Sequence, residues 1–465
     1  MRLFAACLGL LVVLPPVGAA GLSDPFGTAA ITPARPDPAA AGRTGGGPCA
    51  TTLPATPLTA IDVVDLALCN NPQTREVWAN ARVQAAQVGV AQAAWLPELD
   101  ARFGASRNYA QSSVPRYVNA QSTALTLSWL VFDSGARSAN LEGARELLAA
   151  AAATQDAVVQ SLFLAALQAF YTAQAAKAAV VSTTEAERAA REGFNAAESR
   201  YNVGAATPAD RLLAQTALSQ ATLTRIRAEG EARNSLGTLA TTIGFSAASP
   251  ITVAEPGSLQ PDAAFNRDVE ALIAEAELRR PDLKAAEAQV RAAEAGVDLA
   301  QAQGRPTLSL SAAPVWAEVD NSSRNTGVLG LTLAVPLFTG FDTTYRVRSA
   351  AAQVDVRTAQ RDSLKNQTAL DVWRAYQNLA TATQSLRSTA DLVASAEQSE
   401  RVALGRYKAG VGNVLDVLAA QSALASARLQ RIQAALDWYV SRATLAQAMG
   451  ALDYTLLQGA AEGRP

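Results

Sequence analysis

The chain has 465 residues, of which 17% are charged and 49% hydrophobic, and its formal net charge is -2 at pH 7. That balance argues against a basic nucleic-acid-binding stripe, and the complete absence of histidine with only three cysteines argues against histidine catalysis and zinc sites. Aromatic residues at 6% beside abundant alanine predict long, thin, closely spaced helices rather than a core of large side chains.

Arg2 followed by the apolar run Leu3 to Val17, with small residues at Val17-Gly18-Ala19-Ala20, reads as a secretory signal peptide over residues 1–20. Cys7 falls inside it. Cys49 and Cys69 remain, and in an exported protein they form a candidate disulfide, with two buried free thiols as the other reading. Residues 21–57, rich in Pro, Gly, Ala and Thr, read as a flexible lead-in. No later stretch reaches the roughly 18 apolar residues of a membrane helix. Any membrane crossing must therefore use strands.

From residue 58 the chain repeats itself once. Asn71-Pro72 and Pro97 match Arg280-Pro281 and Pro306; Phe132 matches Phe338; Arg200-Tyr201-Asn202-Val203-Gly204 matches Arg406-Tyr407-Lys408-Ala409-Gly410. Asp210 and Asp416, Gln215 and Gln421, and Ile243-Gly244 and Met449-Gly450 follow in the same order. The first repeat spans 58–244, a Pro- and Gly-broken linker 245–266, the second repeat 267–450 and a C-terminal tail 451–465. Each repeat is expected to contain a short helix, two strands, a very long helix, a tight turn and a medium helix.

The strands show period-two alternation. Leu99, Ala101, Phe103 and Ala105 alternate with Glu98, Asp100, Arg102 and Ser106; Leu125, Leu127 and Trp129 alternate with Thr126 and Ser128. In the second repeat Leu308, Leu310 and Ala312 alternate with Ser309 and Ser311, and Leu329, Leu331 and Leu333 with Gly330 and Thr332. Each run is about ten residues, the length of a tilted strand that crosses a bilayer. The stretches 109–120 and 320–326 read as polar loops joining two hairpins. Arg137 to Arg200 and Thr343 to Arg406 contain no proline, so each can run as one helix of roughly 95 Å at about 1.5 Å per residue. Shorter helices are expected over Pro72–Trp95 and Pro208–Ile243. A heptad frame passes through Leu141, Ala144, Leu148, Ala151, Gln155, Val158, Leu162, Ala165 and Ala169; Arg357, Arg361 and Asp371 interrupt its counterpart.

Four strands cannot close a membrane barrel, and open sheet edges cannot face lipid. The chain must share a barrel with copies of itself, and three copies leave room for a lumen. The fold class expected is a mixed α/β membrane protein: a trimeric twelve-stranded β-barrel, four strands per chain, continued by a long α-helical coiled-coil barrel.

The repeated Tyr201–Gly204 and Tyr407–Gly410 turns, the downstream Asp210 and Asp416, the Leu337-Phe338-Thr339-Gly340 run and the hairpins placed before the long helices resemble the TolC-type outer-membrane factor family over residues 58–450. The resemblance implies a homotrimer in outer-membrane lipid, a periplasmic membrane-fusion adaptor as partner and an inner-membrane transporter as energy source. It places Gly204 and Gly410 at turns that contact the adaptor, and Asp416 in an acidic ring at the periplasmic entrance. A second such ring would fall at Ala419, so it is missing. Tyr407 and Asp210 match a linked pair that holds the entrance shut, while the arginine that usually joins the lock falls at Gly412. The stretch Cys69 to Arg75 is similar to the branch that serves ATP-driven type I secretion of large toxins, including adenylate cyclase-hemolysin, with an ABC transporter. A multidrug duct paired with an RND pump is the alternative within the class, and a structural coiled-coil surface protein the alternative outside it. No catalytic signature, cofactor or metal site is present in the sequence, and an enzyme is not expected.

Overall fold

The computed structural model describes residues 24–36, 49, 52–110, 116–255, 268–320 and 322–454. The expected signal peptide, Cys7, the middle of the linker and the tail beyond Tyr454 lie outside the described residues. In chain order the elements are α1 (Ala60–Asn70), α2 (Pro72–Ala93), β1 (Glu98–Ala110), β2 (Arg116–Phe132), α3 (Ala136–Asn202), α4 (Pro208–Thr242), α5 (Val269–Arg279), α6 (Pro281–Ala302), β3 (Thr307–Val319), β4 (Ser322–Ala334), α7 (Asp342–Lys408) and α8 (Val414–Ala448). The helices of the two repeats have identical lengths of 11, 22, 67 and 35 residues.

Each repeat opens with two helices rather than the single one expected. The break falls at Asn71-Pro72 and Arg280-Pro281, where the residue before proline is pushed out of the helical region: Asn71 has φ -65 and ψ 133, Arg280 φ -58 and ψ 124. These kinks also explain the repeated glycines. Gly244 has φ +83, and a Cβ on it would lie 2.6 Å from the Asn70 backbone; Gly450 has φ +67, and its Cβ would lie 3.0 Å from Arg280. The Asn71 amide donates to the Thr242 carbonyl at 2.9 Å, so the end of α4 is stitched to the kink.

The chain separates into two compact units. The first comprises residues 1–32, 82–145 and 298–343 and holds the sheet. Its four antiparallel strands run in the order β1-β2-β3-β4, so the pairing of β2 with β3 merges the two expected hairpins into one sheet. Leu99, Leu127, Ala312 and Leu329 stand in one row across all four strands, and Trp129, Leu310 and Leu331 in a neighbouring row on the same face. The opposite face carries Glu98, Ser128, Ser311 and Gly330, then Arg102, Ala124, Val315 and Thr326. One face is thus apolar and the other small and polar, as the alternation predicts. The apolar face is uncovered: Leu99 is 68% exposed, Leu329 79% and Leu331 65%.

The strands are longer than expected, 13 to 17 residues, and use much of 109–120 and 320–326. Pairing continues to Ala110 with Arg116 and to Val319 with Ser322. Backbone ladders are indifferent to polar side chains at exposed strand ends, so the polarity that reads as loop is compatible with strand. Asp320, at φ 46, turns the second hairpin and exchanges hydrogen bonds with the Asn119 backbone at 3.0 and 3.1 Å.

Strand passes to long helix through two successive left-handed residues in both repeats: Ser134 (φ 53) and Gly135 (φ 98), then Gly340 (φ 64) and Phe341 (φ 68). In the first repeat the turn is clamped by Arg137, which bonds Asp133 at 3.0 Å and the Leu130 and Val131 carbonyls, with its guanidinium 4.4 Å from the Trp95 ring centre. In the second, Thr339 and Thr343 occupy the equivalent positions, with their hydroxyls 3.3 Å apart.

The second unit comprises residues 33–81, 146–297 and 344–465. Val63, Val64 and Leu68 of α1 pack with Phe163, Leu167 and Phe170 of α3 and with Leu239 and Ile243 at the end of α4. The second repeat builds its own core from Leu272, Val372, Leu379, Leu386, Trp438 and Met449. The heptad frame holds at Gln155 and Leu162, which are buried, but fails at Ala165, which faces solvent. Phe163, Ala166, Leu167 and Phe170 fill the core there instead, because a straight helix drifts off a seven-residue repeat and α1 covers the adjacent stripe. The charged interruption in α7 has a use: Asp371 pairs with Arg280 of the α5–α6 kink at 3.2 Å.

A disulfide joins Cys49 to buried Cys69 on α1, with their Cα atoms 5.4 Å apart. Part of the lead-in is also held by side chains: the Trp78 indole donates to the Pro33 carbonyl at 3.3 Å and the Gln155 amide to that of Ala34 at 2.8 Å.

Candidate functional site

The repeated Tyr-to-Gly turns link each long helix to the helix that follows. Gly204 (φ +75) and Gly410 (φ +79) take the left-handed conformation that ends α3 and α7, and a Cβ on either would meet only open space. Backbone closes both turns in the same way: Ala205 N–H donates to the Arg200 carbonyl at 2.7 Å, and Val411 N–H to that of Arg406 at 3.1 Å. Val203 at 78% and Val411 at 71% exposure are apolar side chains left in solvent beside these glycines.

The two acidic residues beyond the turns differ in circumstance. Asp210 completes a capping box at the start of α4, accepting from the Thr207 N–H at 3.0 Å and from its hydroxyl at 2.8 Å. The Thr207 N–H and hydroxyl, with the charge of Arg200, hold its carboxyl below the usual aspartate value. Asp416 occupies the equivalent position of α8, but there Asn413 is the cap and bonds the Leu415 N–H at 3.1 Å. The Asp416 carboxylate is exposed and has no hydrogen-bond or ion-pair partner among the described residues. Ala419, one turn on, is exposed as well.

Tyr407 is buried, 6% exposed, against Val414, Val417, Ala196 and Leu404. Among the described residues no hydrogen bond joins it to Asp210, whose carboxylate bonds Thr207. Its neighbour is Arg200, whose Nη1 donates to the Tyr407 carbonyl at 3.1 Å and whose guanidinium stands 4.8 Å from the ring centre. Gly412 has no room for a side chain: a Cβ would lie 2.8 Å from the Tyr407 nitrogen and 2.9 Å from the Arg406 carbonyl carbon. A cavity of about 420 Å³ opens beside this cluster, rimmed by Glu192, Arg200, Glu400 and Lys408, with Gln421 in its wall. In the sequence Arg200 and Gln421 stand out only through the duplication; a further signal for Arg200 is a cation in the last turn of a helix, which favours the negative end of the helix dipole. Among the described residues no group of acidic residues and cysteines is arranged to hold a metal.

Two stretches, residues 63–245 and 272–451, match the family model described as outer membrane efflux protein. The chain belongs to the outer membrane efflux protein family. It is 34% identical over 412 residues to Protein CyaE of Bordetella pertussis, covering 86% of both chains. It is 26% identical to Nodulation protein T of Rhizobium leguminosarum bv. trifolii, covering 83% of this chain and 84% of that one. Among solved structures, the CmeC outer membrane channel of Campylobacter jejuni superposes with a TM-score of 0.77 at 18% identity, covering 87% of this chain and 88% of that chain. VceC of Vibrio cholerae gives 0.73 at 22%, covering 84% and 96%. The TolC-type fold of four strands and paired long helices is therefore established, and the outer membrane efflux protein family is one of transport channels rather than enzymes. Its place is the outer membrane, reaching into the periplasm.

Proposed function

We propose that the chain is the outer-membrane subunit of a type I secretion system that exports a large polypeptide. The observation that carries the channel reading is the two-faced sheet with open edges. Neither β1 nor β4 has a further strand partner among the described residues, and the uncovered apolar face suits lipid. Three copies of this four-stranded sheet give a closed barrel of twelve strands, wide enough for a lumen. The face turned inward would be the one lined mainly by small and polar residues such as Ser128, Ser311, Gly330, Ala124 and Thr326, with Glu98 and Arg102 on β1. The polypeptide branch is supported by 34% identity to Protein CyaE, above the 23% to outer membrane efflux protein BepC of Brucella suis and the 25% to TtgC of Pseudomonas putida. A drug-efflux duct working with an RND pump is the second reading, favoured by the names of those efflux relatives.

At the periplasmic end three copies of Asp416 would form one acidic ring, which its exposed and unpaired carboxylate permits. The Gly204 and Gly410 turns, open to solvent with Val203 and Val411 beside them, would receive the adaptor, and an ABC transporter would supply the energy. A strain lacking its own outer-membrane channel, given this chain with its adaptor and ABC exporter, should release the polypeptide cargo into the medium. Restored drug resistance without cargo release would favour the efflux reading instead.

A further inference from the structure

The duplicated Arg-Tyr pair is used asymmetrically. Arg200 sits in the last turn of α3 and reaches across to the last turn of α7 in the other repeat. There it meets Tyr407 twice, at the carbonyl and over the ring. Two helix C-termini meet at this point, each carrying negative partial charge, so a cation between them serves both; the Tyr407 carbonyl accepts from the Gly410 N–H at 3.1 Å as well as from Arg200. The counterpart Arg406 is exposed and has no partner among the described residues. Tyr201 is covered from its own repeat, by Arg211 at 5.1 Å.

A second polar tie crosses between the repeats near the same end. The Gln421 amide of α8 donates to the Ala189 carbonyl of α3 at 3.4 Å, while its oxygen is buried without a partner. The other contacts at this end are apolar and small, chiefly Ala196, Ala403, Val414 and Val417. Within each repeat the helix pairs are tied by ion pairs and hydrogen bonds: Glu187 of α3 takes Arg225 and Thr222 of α4, and Glu397 of α7 takes Arg428 of α8 at 3.0 Å, with Arg431 of α8 on the Leu386 carbonyl of α7. The α7–α8 pair and the α3–α4 pair are therefore two bodies joined at their turn ends, among the described residues, by the Arg200 and Gln421 contacts. Gly412 cannot supply a cation to that joint, since its turn packs directly on the end of α7.

We infer that Arg200 is the latch holding the α7–α8 pair against α3, and that widening of the entrance requires its release from Tyr407. The inference rests on the channel reading above, and adds that the cationic member of the closure comes from the first repeat rather than from the turn at Gly412. Tyr407 is the surface it grips. Asp210, fixed in its capping box, lies in the field of Arg200 but is not the group that Tyr407 meets.

The test is planar-bilayer recording of the full-length protein. Arg200→Gln should raise the open-to-closed ratio about tenfold, equivalent to about 1.4 kcal/mol. Arg200→Lys, which keeps the charge but cannot stack and bond through one planar group, should fall between that variant and wild type. Arg406→Gln should behave as wild type. A cysteine pair at Ala189 and Gln421, oxidised, should hold the low-conductance state even with Arg200→Gln, and reductant should release it. Wild-type gating in both Arg200 variants, or equal effects at Arg200 and Arg406, would overturn the latch while leaving the channel intact. The absence of conductance in every form, wild type included, would overturn the channel reading and the latch with it.

Discussion

Replacing Arg137 by alanine perturbs the junction where β2 passes into α3. The Arg137 and Asp133 side chains are 8% and 7% exposed and 3.0 Å apart, so this is a buried ion pair. Asp133 also accepts the Arg137 N–H at 2.7 Å and the Gly135 N–H at 3.3 Å, and the guanidinium satisfies the Leu130 and Val131 carbonyls. Truncation strands a buried carboxylate with two backbone donors, orphans two strand-end carbonyls and removes the stack on Trp95. Breaking a buried pair from one side costs about 3–5 kcal/mol, and the remaining backbone donors place this case near the lower end. Removing Asp133 as well should recover part of the loss, because no uncompensated charge then remains. At the equivalent place in the second repeat, Thr343→Ala removes only an exposed hydroxyl contact and should cost less than about 1 kcal/mol. Urea unfolding of the detergent-solubilised protein, followed by loss of its β signal, measures all of these variants. An Arg137→Ala variant within 1 kcal/mol of wild type, or no worse than Thr343→Ala, refutes the reasoning.

Three further outcomes follow from the same structure. A charge placed at Leu127 or Leu333 should cost roughly 2–4 kcal/mol near the bilayer midplane, whereas the same change at Thr126 or Thr332 should be milder; equal tolerance in refolding titrations would mean that the sheet faces are assigned the wrong way round. Mass spectrometry of the non-reduced protein purified from the outer membrane should find the Cys49 and Cys69 peptides cross-linked, and two alkylatable thiols would contradict the pairing. A trivalent cation added from the entrance side should block the pore, with Asp416→Ala relieving the block and leaving assembly intact; identical block in both forms would put the acidic constriction elsewhere.

The duplication made most of the fold legible. Repeated Pro, Gly and Tyr positions bracket the elements because each sits where the backbone needs it: Pro72 and Pro281 after a kink, Gly204 and Gly410 at left-handed helix ends, Gly244 and Gly450 against a neighbouring backbone. Period-two alternation fixed the two sheet faces, since apolar and polar residues must part there. It did not fix the strand ends, because Ser322 to Asn325 pair through backbone regardless of polarity. The extra helix break in each repeat is not legible from Asn71-Pro72 alone, because a proline suits the first turn of a helix whether loop or another helix precedes it. The heptad frame could not foresee that Phe163 would displace Ala165 from the core, since that depends on where α1 lies. At the turns, sequence located Asp210, Tyr407 and Asp416 but not their company. Whether a carboxylate is occupied by a cap or left free depends on Thr207 against Asn413, one residue type at one position. The grip of Arg200 on Tyr407 joins positions 207 apart in the chain, beyond any local pattern.

The central claim is that a polypeptide crosses the outer membrane along the polar face of the sheet. A cargo halted in transit by a folded domain at its trailing end tests this directly, with a photo-cross-linking residue placed at Ser311 or at its neighbour Ala312. Ser311 belongs to the polar row and Ala312 to the apolar one. The halted polypeptide should be captured at Ser311 and not at Ala312. Capture at Ala312 alone, or at neither position while the cargo is demonstrably halted, would contradict the account.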